Sequence, residues 1–255
     1  MSSLLPDSGR GASSPLAGAL AGFLVALGLA GCASSTAPQA CSADFAGGIC
    51  LDMSAAGGLV LHRADIEREV DRTIERVRPL LGVSDLRIAV IDDPSGVIPE
   101  TGFGGYNPNA GEVRLFADSN RPDVEAAIRS ELAPTLAHEI HHAMRRRAIG
   151  YGSSLLQATI SEGLADHFSI EVSPGYDPPW ISALTEEELA LWLPEVTSRS
   201  SGDYDHAEWF HGAGASIPRW TGYAVGFELV RVHLDAHPDQ LASTLVGEPA
   251  SSFVP

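Results

Sequence analysis

Apolar residues recur at two different spacings along this chain. Intervals of three and four residues are typical of one face of an α-helix, and strict alternation is typical of a strand with one buried face. Helical spacing begins at about residue 64 and is carried by Ile66, Val70, Ile74, Val77 and Leu81. This pattern predicts an amphipathic helix over about 64–81 as the first long element.

Two short segments that follow predict strands, with a loop between them. The run LRIAVID, centred on 87–92, predicts a buried strand. The segment EVRLFAD (112–118) alternates apolar and polar residues, which predicts a strand with one buried face. Between the two strands, TGFGGYNPNAG (101–111) is rich in glycine and asparagine and predicts a loop.

Helical patterns dominate the second half of the chain. The first of them carries a cluster of histidines, with Pro134 expected in the first turn and Gly150 at the stop. A capping box formed by Thr185 and Glu188 predicts the start of a later helix. Two more helices are predicted at about 154–171 and 221–236. A small sheet followed by helices indicates the α+β fold class.

The N-terminal segment lacks these periodicities. An uncharged apolar run from Leu16 to Ala30 follows a single basic residue, Arg10. At about 15 residues, this run is short for a membrane-spanning helix and suits the core of a signal peptide. The run ends in Leu-Ala-Gly-Cys at 29–32, which resembles the lipobox of bacterial lipoproteins.

The lipobox resemblance implies that Cys32 is lipidated and becomes the mature N-terminus. The protein would then be a lipid-anchored membrane lipoprotein of the cell envelope, outside the cytoplasm; a plain secretory signal or an uncleaved anchor is the alternative. We therefore divide the chain into a lipoprotein signal peptide (1–31), a tether rich in Ala, Ser, Gly and Pro (32–59), and one domain (60–255).

Export changes the interpretation of the remaining cysteines. Cys41 and Cys50 would lie in an oxidising compartment, where disulfides persist. A bridge between them would close a small loop within the predicted tether. Two unpaired thiols are the alternative, and the sequence leaves both open.

The charge balance excludes one class of partner. The chain has 16 basic residues, all of them arginine, against 33 acidic ones, for a net charge of −17. Nucleic-acid binding is not expected, because phosphate recognition needs a basic face. The sequence also lacks a Gly-x-Ser-x-Gly elbow and a phosphate-binding loop, which disfavours a serine hydrolase and a nucleotide-dependent enzyme.

The segment LAHEIHHAMRRR (136–147) carries the candidate chemistry. His138 and His142 are four residues apart and share one helix face, with Glu139 beside them. Pairing His138 with His141 is possible by spacing but would place a metal away from Glu139. In the H-E-x-x-H motif two imidazoles bind zinc, and the glutamate takes a proton from the activated water. Exposed histidines on a polar helix are the alternative.

The next helix offers the third protein ligand that a catalytic zinc requires. The segment SEGLADHF (161–168) contains Glu162, with Asp166 one turn later on the same face. Gly163 lies inside this helix and predicts a close approach to another element. The two motifs resemble the gluzincin metallopeptidases, with their ExxxD spacing. This resemblance implies that Glu162 binds zinc and that Asp166 orients His138.

The resemblance extends over most of residues 60–245. The stretch from TLAHEIHH to SEGLADHF, and later IPRWTGYAVGFELVRVHL, are similar to a bacterial family of predicted zinc-dependent proteases whose substrates are uncharacterised. It implies a helical zincin-like catalytic region after the sheet, zinc as the cofactor and a peptide or protein as the substrate. A non-catalytic metal-binding lipoprotein on the same fold is the other hypothesis.

Two further expectations concern the substrate. In gluzincins a later tyrosine or histidine stabilises the oxyanion, and Tyr223 is the candidate here, with His211 and Tyr151 as other contenders; a core role for Tyr223 is the alternative. Arg219 is a possible substrate anchor. We also expect strand 112–118 to lie along the cleft and pair with an extended peptide.

Overall fold

The sheet combines the predicted strands with three segments that the sequence does not identify as strands. A computed structural model describes residues 41–150, 152–214 and 216–254. Its strands are β1 (Ala43–Phe45), β2 (Ile49–Ala55), β3 (Arg87–Asp92), β4 (Phe103–Asn109) and β5 (Glu112–Ala117). They form one mixed sheet of order β1-β2-β3-β5-β4, with β3 parallel to both of its neighbours and the two edge strands antiparallel to theirs.

Strands β3 and β5 confirm the predictions, whereas the predicted loop over 101–111 is wrong. Most of that segment forms β4, which pairs antiparallel with β5 through Gly104–Phe116 and Tyr106–Arg114. The amide of Asn107 donates to the carbonyls of Asn109 and Glu112, which holds the turn. Cross-strand pairing therefore overrides the low strand propensity of glycine and asparagine.

The predicted tether is also wrong where it overlaps the sheet. In β2, Ile49, Leu51 and Met53 are buried, and the strand lies beside β3. Cys41 and Cys50 form a disulfide, which is one of the two alternatives left open above. The alternation in ICLDMSA is short and follows a glycine-rich run, so it does not stand out in the sequence. The folded unit consequently begins before residue 60.

The helices confirm the α+β class. They are α1 (Arg63–Leu81), α2 (Val124–Ile149), α3 (Leu155–Val172), α4 (Glu186–Ser198), α5 (His206–His211) and α6 (Thr221–Ala236). The capping box of Thr185 and Glu188 starts α4 as predicted, and α5 is an addition to the prediction. Within the described ranges, no helix has the length and apolar character needed to cross a membrane.

Helix α2 is longer at its N-terminus than expected. Pro134 lies in its interior, so the prediction that it occupies the first turn is wrong. Buried Val124, Ile128 and Leu132 continue the helical face on the N-terminal side, and their packing offsets the hydrogen bond that proline cannot donate. Gly150 ends the helix with a φ of 80°, as predicted.

Two apolar cores lie on the two sides of α3. One is enclosed by the sheet, α1 and α2, and the other by α3, α4, α5 and α6. Gly163 on α3 and Gly226 on α6 meet backbone to backbone, and a Cβ at Gly163 would overlap the Gly226 carbonyl. This crossing confirms the close approach predicted for Gly163. It fixes α3 between both cores and so places Glu162 opposite α2.

Candidate metal centre

Three side chains predicted as metal ligands converge where α2 faces α3. The His138 and His142 Nε2 atoms are 3.0 Å apart, and they lie 3.1 and 3.2 Å from Oε2 of Glu162. Ligand atoms about 2.0–2.1 Å from a tetrahedral zinc lie about 3.3 Å from one another. The triangle therefore has the size that a single ion requires, and two nitrogens with one oxygen form a donor set of catalytic zinc sites.

The chemistry of these donors also fits a cation. The Nδ1 atom of His138 lies 3.0 Å from Oδ1 of Asp166, a buried carboxylate that only accepts hydrogen bonds, so Nδ1 carries a proton. In the neutral ring, Nε2 then carries a lone pair and no proton, and this lone pair faces an oxygen of Glu162. Two lone pairs at 3.1 Å repel unless a metal ion or a proton lies between them.

The pKa shifts of these groups favour a positive charge between them as well. Burial alone would lower the pKa of His138, but its hydrogen bonds to Asp166 and Glu162 raise it well above the usual value. Burial would raise the pKa of Glu162, and the opposing charges and hydrogen bonds of the two histidines bring it far below the usual range. The site thus attracts positive charge strongly.

The groups behind the ligands hold both imidazoles in place. As the resemblance implied, Asp166 contacts His138; it also accepts the indole N–H of Trp180 at 3.0 and 3.1 Å on its two oxygens. His142 Nδ1 lies 3.1 Å from the Ser161 hydroxyl. Sequence patterns do not identify Trp180, because it lies in the loop between α3 and α4, outside every periodic segment.

Glu139 lines a cavity with His138, His142 and Glu162 but is not one of the three ligands. Its side chain is 6% exposed, and burial raises its pKa despite the opposing influence of His142 and His138. Gly105 on β4 lies so close that a Cβ there would overlap the Glu139 carboxylate. A glycine on this edge strand therefore leaves room for the carboxylate beside the ligand triangle.

The structure gives different outcomes for the other predicted site residues. Tyr223 and His211 line one cavity with Glu139 and His138, so the structure brings both oxyanion candidates to the site. Tyr151 lies outside the described residues. Arg219 forms an ion pair with Glu100 at 2.7 Å and stacks on Trp220, and it is not among the cavity-lining residues.

Two further histidines have different surroundings. His141 is completely buried against Phe168, and burial lowers its pKa well below the usual value. It is not among the three residues whose ligand atoms lie close enough to hold one metal ion. His206 stacks on Phe210 and also lines the cavity of about 160 Å³ over the ligands.

The strand along the cleft is β4 and not β5. Strand β5 is paired on both sides, by β3 and β4, so the prediction that it pairs with a peptide is wrong. Strand β4 is an edge strand, and Gly104 and Gly105 line the cavity beside Glu139. The sequence did not predict this strand, because its glycines and asparagines are typical of loops.

Residues 66–254 match the model of a protein family described as predicted Zn-dependent protease (DUF2268). The matched region contains His138, His142, Glu162, Glu139 and Tyr223. No curated protein and no solved structure is significantly similar to the chain.

Proposed function

The chain belongs to this family of predicted Zn-dependent proteases, and we propose that it hydrolyses peptide bonds with a zinc ion held by His138, His142 and Glu162. The observation that carries the proposal is the convergence of three ligand atoms, 3.0–3.2 Å apart, beside a separate buried carboxyl. When bound, zinc would supply Lewis acidity, which lowers the pKa of water and polarises a substrate carbonyl.

Protein groups on two opposite sides of the cavity would perform the remaining chemistry. The carboxylate of Glu139 would accept the proton of the attacking water and later pass it to the leaving amine. Across the cavity, the Tyr223 hydroxyl or the His211 imidazole would donate to the oxygen that becomes negative during the attack. Asp166 would hold the ring of His138 in its orientation throughout.

The position of β4 supports an extended peptide as the substrate. An edge strand presents unpaired backbone groups, and peptides bind to such edges by adding a strand. Because Gly105 lies against Glu139, a peptide paired with this edge would pass directly over the ligands. Backbone pairing recognises peptides as a class and leaves the choice of sequence to neighbouring cavities.

We further propose that the full-length protein is a lipoprotein of the cell envelope, anchored in the membrane through Cys32. The signal peptide and Cys32 lie outside the described residues, so the lipobox-like sequence carries this proposal. The Cys41–Cys50 disulfide supports it, because disulfides persist outside the reducing cytoplasm. Intact-mass measurement tests it: the wild-type protein should begin at an acylated Cys32, and the Cys32→Ser variant should lack the lipid.

The decisive experiment measures zinc content and peptide cleavage on the same preparation. We expect about one zinc per chain and cleavage of a mixed peptide library that is lost on chelation and restored by zinc. The Glu139→Gln variant, with its metal intact, is the control for contaminating proteases. One zinc per chain without any cleavage would favour the alternative, a metal-binding lipoprotein without catalytic activity.

A further inference from the structure

A second cavity of about 430 Å³ opens on the other side of the metal ligands, toward the C-terminal end of α2. His142 and Glu162 line this cavity and also the cavity of about 160 Å³ that Glu139 lines. The other charged residues in its lining are Arg145 and Arg146. In a chain with a net charge of −17, this is a local concentration of positive charge beside the reaction centre.

Arg145 is the unusual member of this lining, because it is a buried cation that no carboxylate of the described residues contacts; the charge of Glu248 acts on it from beyond contact distance. It is 4% exposed, and its Nη1 donates to the carbonyls of Val246 at 3.1 Å and Glu248 at 2.8 Å. Among the described residues, no carboxylate lies within 4.0 Å of its guanidinium and no group accepts from its Nε or Nη2. These two atoms are nevertheless not fully buried, and Arg145 lines the cavity.

The Nε and Nη2 atoms of Arg145 have the arrangement needed to bind a carboxylate. Nε and Nη2 carry parallel N–H groups on one edge of the guanidinium, and arginine binds carboxylates in a bidentate way through such an edge. Burial lowers the pKa of Arg145 to about 10, so the group stays charged at neutral pH. A buried charge is costly unless it is paired, and an incoming carboxylate would supply the pair.

Neighbouring arginines show that this free edge is particular to Arg145. Arg147, two residues later, donates to the carbonyls of Ser84, Asp85 and Ala110 and is exposed. All three nitrogens of its guanidinium donate to backbone carbonyls, and these hydrogen bonds attach α2 to the loops of the sheet. Arg146 donates to Asn107 through Nε and Nη2, so its corresponding edge is already in use.

We propose that this cavity is a subsite in which Arg145 binds a carboxylate of the peptide substrate, close to the scissile bond. The proposal rests on the peptidase function proposed above and narrows its substrate class. Two sources offer the same chemistry. A C-terminal carboxylate would make the enzyme a carboxypeptidase, and an aspartate or glutamate side chain would make it an endopeptidase that prefers acidic residues.

The test measures peptide binding to the full-length, zinc-loaded Glu139→Gln protein, which should bind without cleaving. The probes are hexapeptide libraries with a free or an amidated C-terminus, and amidated libraries with glutamate or glutamine at one position. We expect carboxylate-bearing peptides to bind at least about tenfold more tightly, as suits a charge-assisted pair. A preference for the free C-terminus identifies the first source, and a preference for glutamate identifies the second.

Substitutions then test whether Arg145 causes the preference for carboxylate-bearing peptides. In the same background, Arg145→Gln should abolish it, whereas Arg147→Gln should leave it unchanged. Equal affinity for all four libraries on the parent protein overturns the proposal, and this comparison stands even if Arg145→Gln does not fold. Preference retained in Arg145→Gln also overturns it. Because binding is measured on a non-cleaving protein, failure of this subsite is distinct from failure of the peptidase function.

Discussion

The two walls of the site are encoded in the sequence in different ways. The ligand wall consists of α2 and α3, consecutive helices that supply His138, His142, Glu162 and Asp166. The opposite wall collects side chains from β4, in the first half of the chain, and from α5 and α6, near its end. Helical periodicity places His138 with His142, and Glu162 with Asp166, on one face of their respective helices. The second set has no such local pattern, and tertiary packing alone brings it together. The metal ligands can therefore be inferred from short sequence motifs, whereas the substrate contacts cannot.

The largest effect should come from removing one ligand of the first wall. Glu162→Ala leaves two imidazoles, and we expect zinc affinity to fall by more than the roughly 10–100-fold that loss of an outer partner causes. Metal analysis of the dialysed protein measures it. Stoichiometric zinc in this variant would show that the third ligand comes from elsewhere, for instance from His206 on the opposite wall.

His141 is the matched control for that experiment. It lies on the same helix but faces the first core. His141→Ala should keep about one zinc per chain and lower the free energy of unfolding by about 2–5 kcal/mol, because it leaves a cavity. Zinc loss together with retained stability would contradict the assignment of this histidine to the core.

The sequence predicted the ligand wall well because its signals are short-range. The position of Glu139 favoured His142 over His141 as the partner of His138, and Gly163 predicted a close approach to another element. The errors concern features that depend on distant partners. Strand β4 forms through its ladder with β5, and β2 joins the sheet beside β3 despite its short alternation.

The second-largest effect separates binding from chemistry within the ligand wall. Glu139→Gln should keep zinc and lower kcat by about 10²–10⁴-fold, since the amide cannot accept a proton. Steady-state kinetics with parallel metal analysis measures both quantities. Glu125→Gln, an exposed position in the first turn of the same helix, is the neutral control. Activity retained in Glu139→Gln would move the general base to the opposite wall.

The next prediction tests the opposite wall directly. Tyr223→Phe removes one hydroxyl and leaves the ring contacts with Trp180 and Phe210 in place. If Tyr223 is the oxyanion donor, kcat should fall by about 10²–10³-fold with zinc retained and KM little changed. Unchanged kcat would assign the role to His211, for which His211→Asn is the corresponding variant.

The smallest effect should come from the residue that connects the walls. Trp180 donates to both oxygens of Asp166, while its ring lies 5.7 Å from Tyr223 and 6.3 Å from Trp220. The two oxygens share one donor, so the indole fixes the plane of the carboxylate that orients His138. Loss of that donor should loosen the ligand without removing it.

Trp180→Phe should accordingly lower zinc affinity by about tenfold, and Asp166→Asn by about 10–100-fold, with nearly normal kcat for Trp180→Phe at saturating zinc. Competition with a chelating dye measures the affinity, and thermal unfolding of the metal-free protein serves as the control. If the indole only fills space, Trp180→Phe would change the melting temperature of both forms equally and leave zinc affinity unchanged. A selective loss of affinity would instead show that the opposite wall tunes the ligand wall through a single hydrogen bond donor.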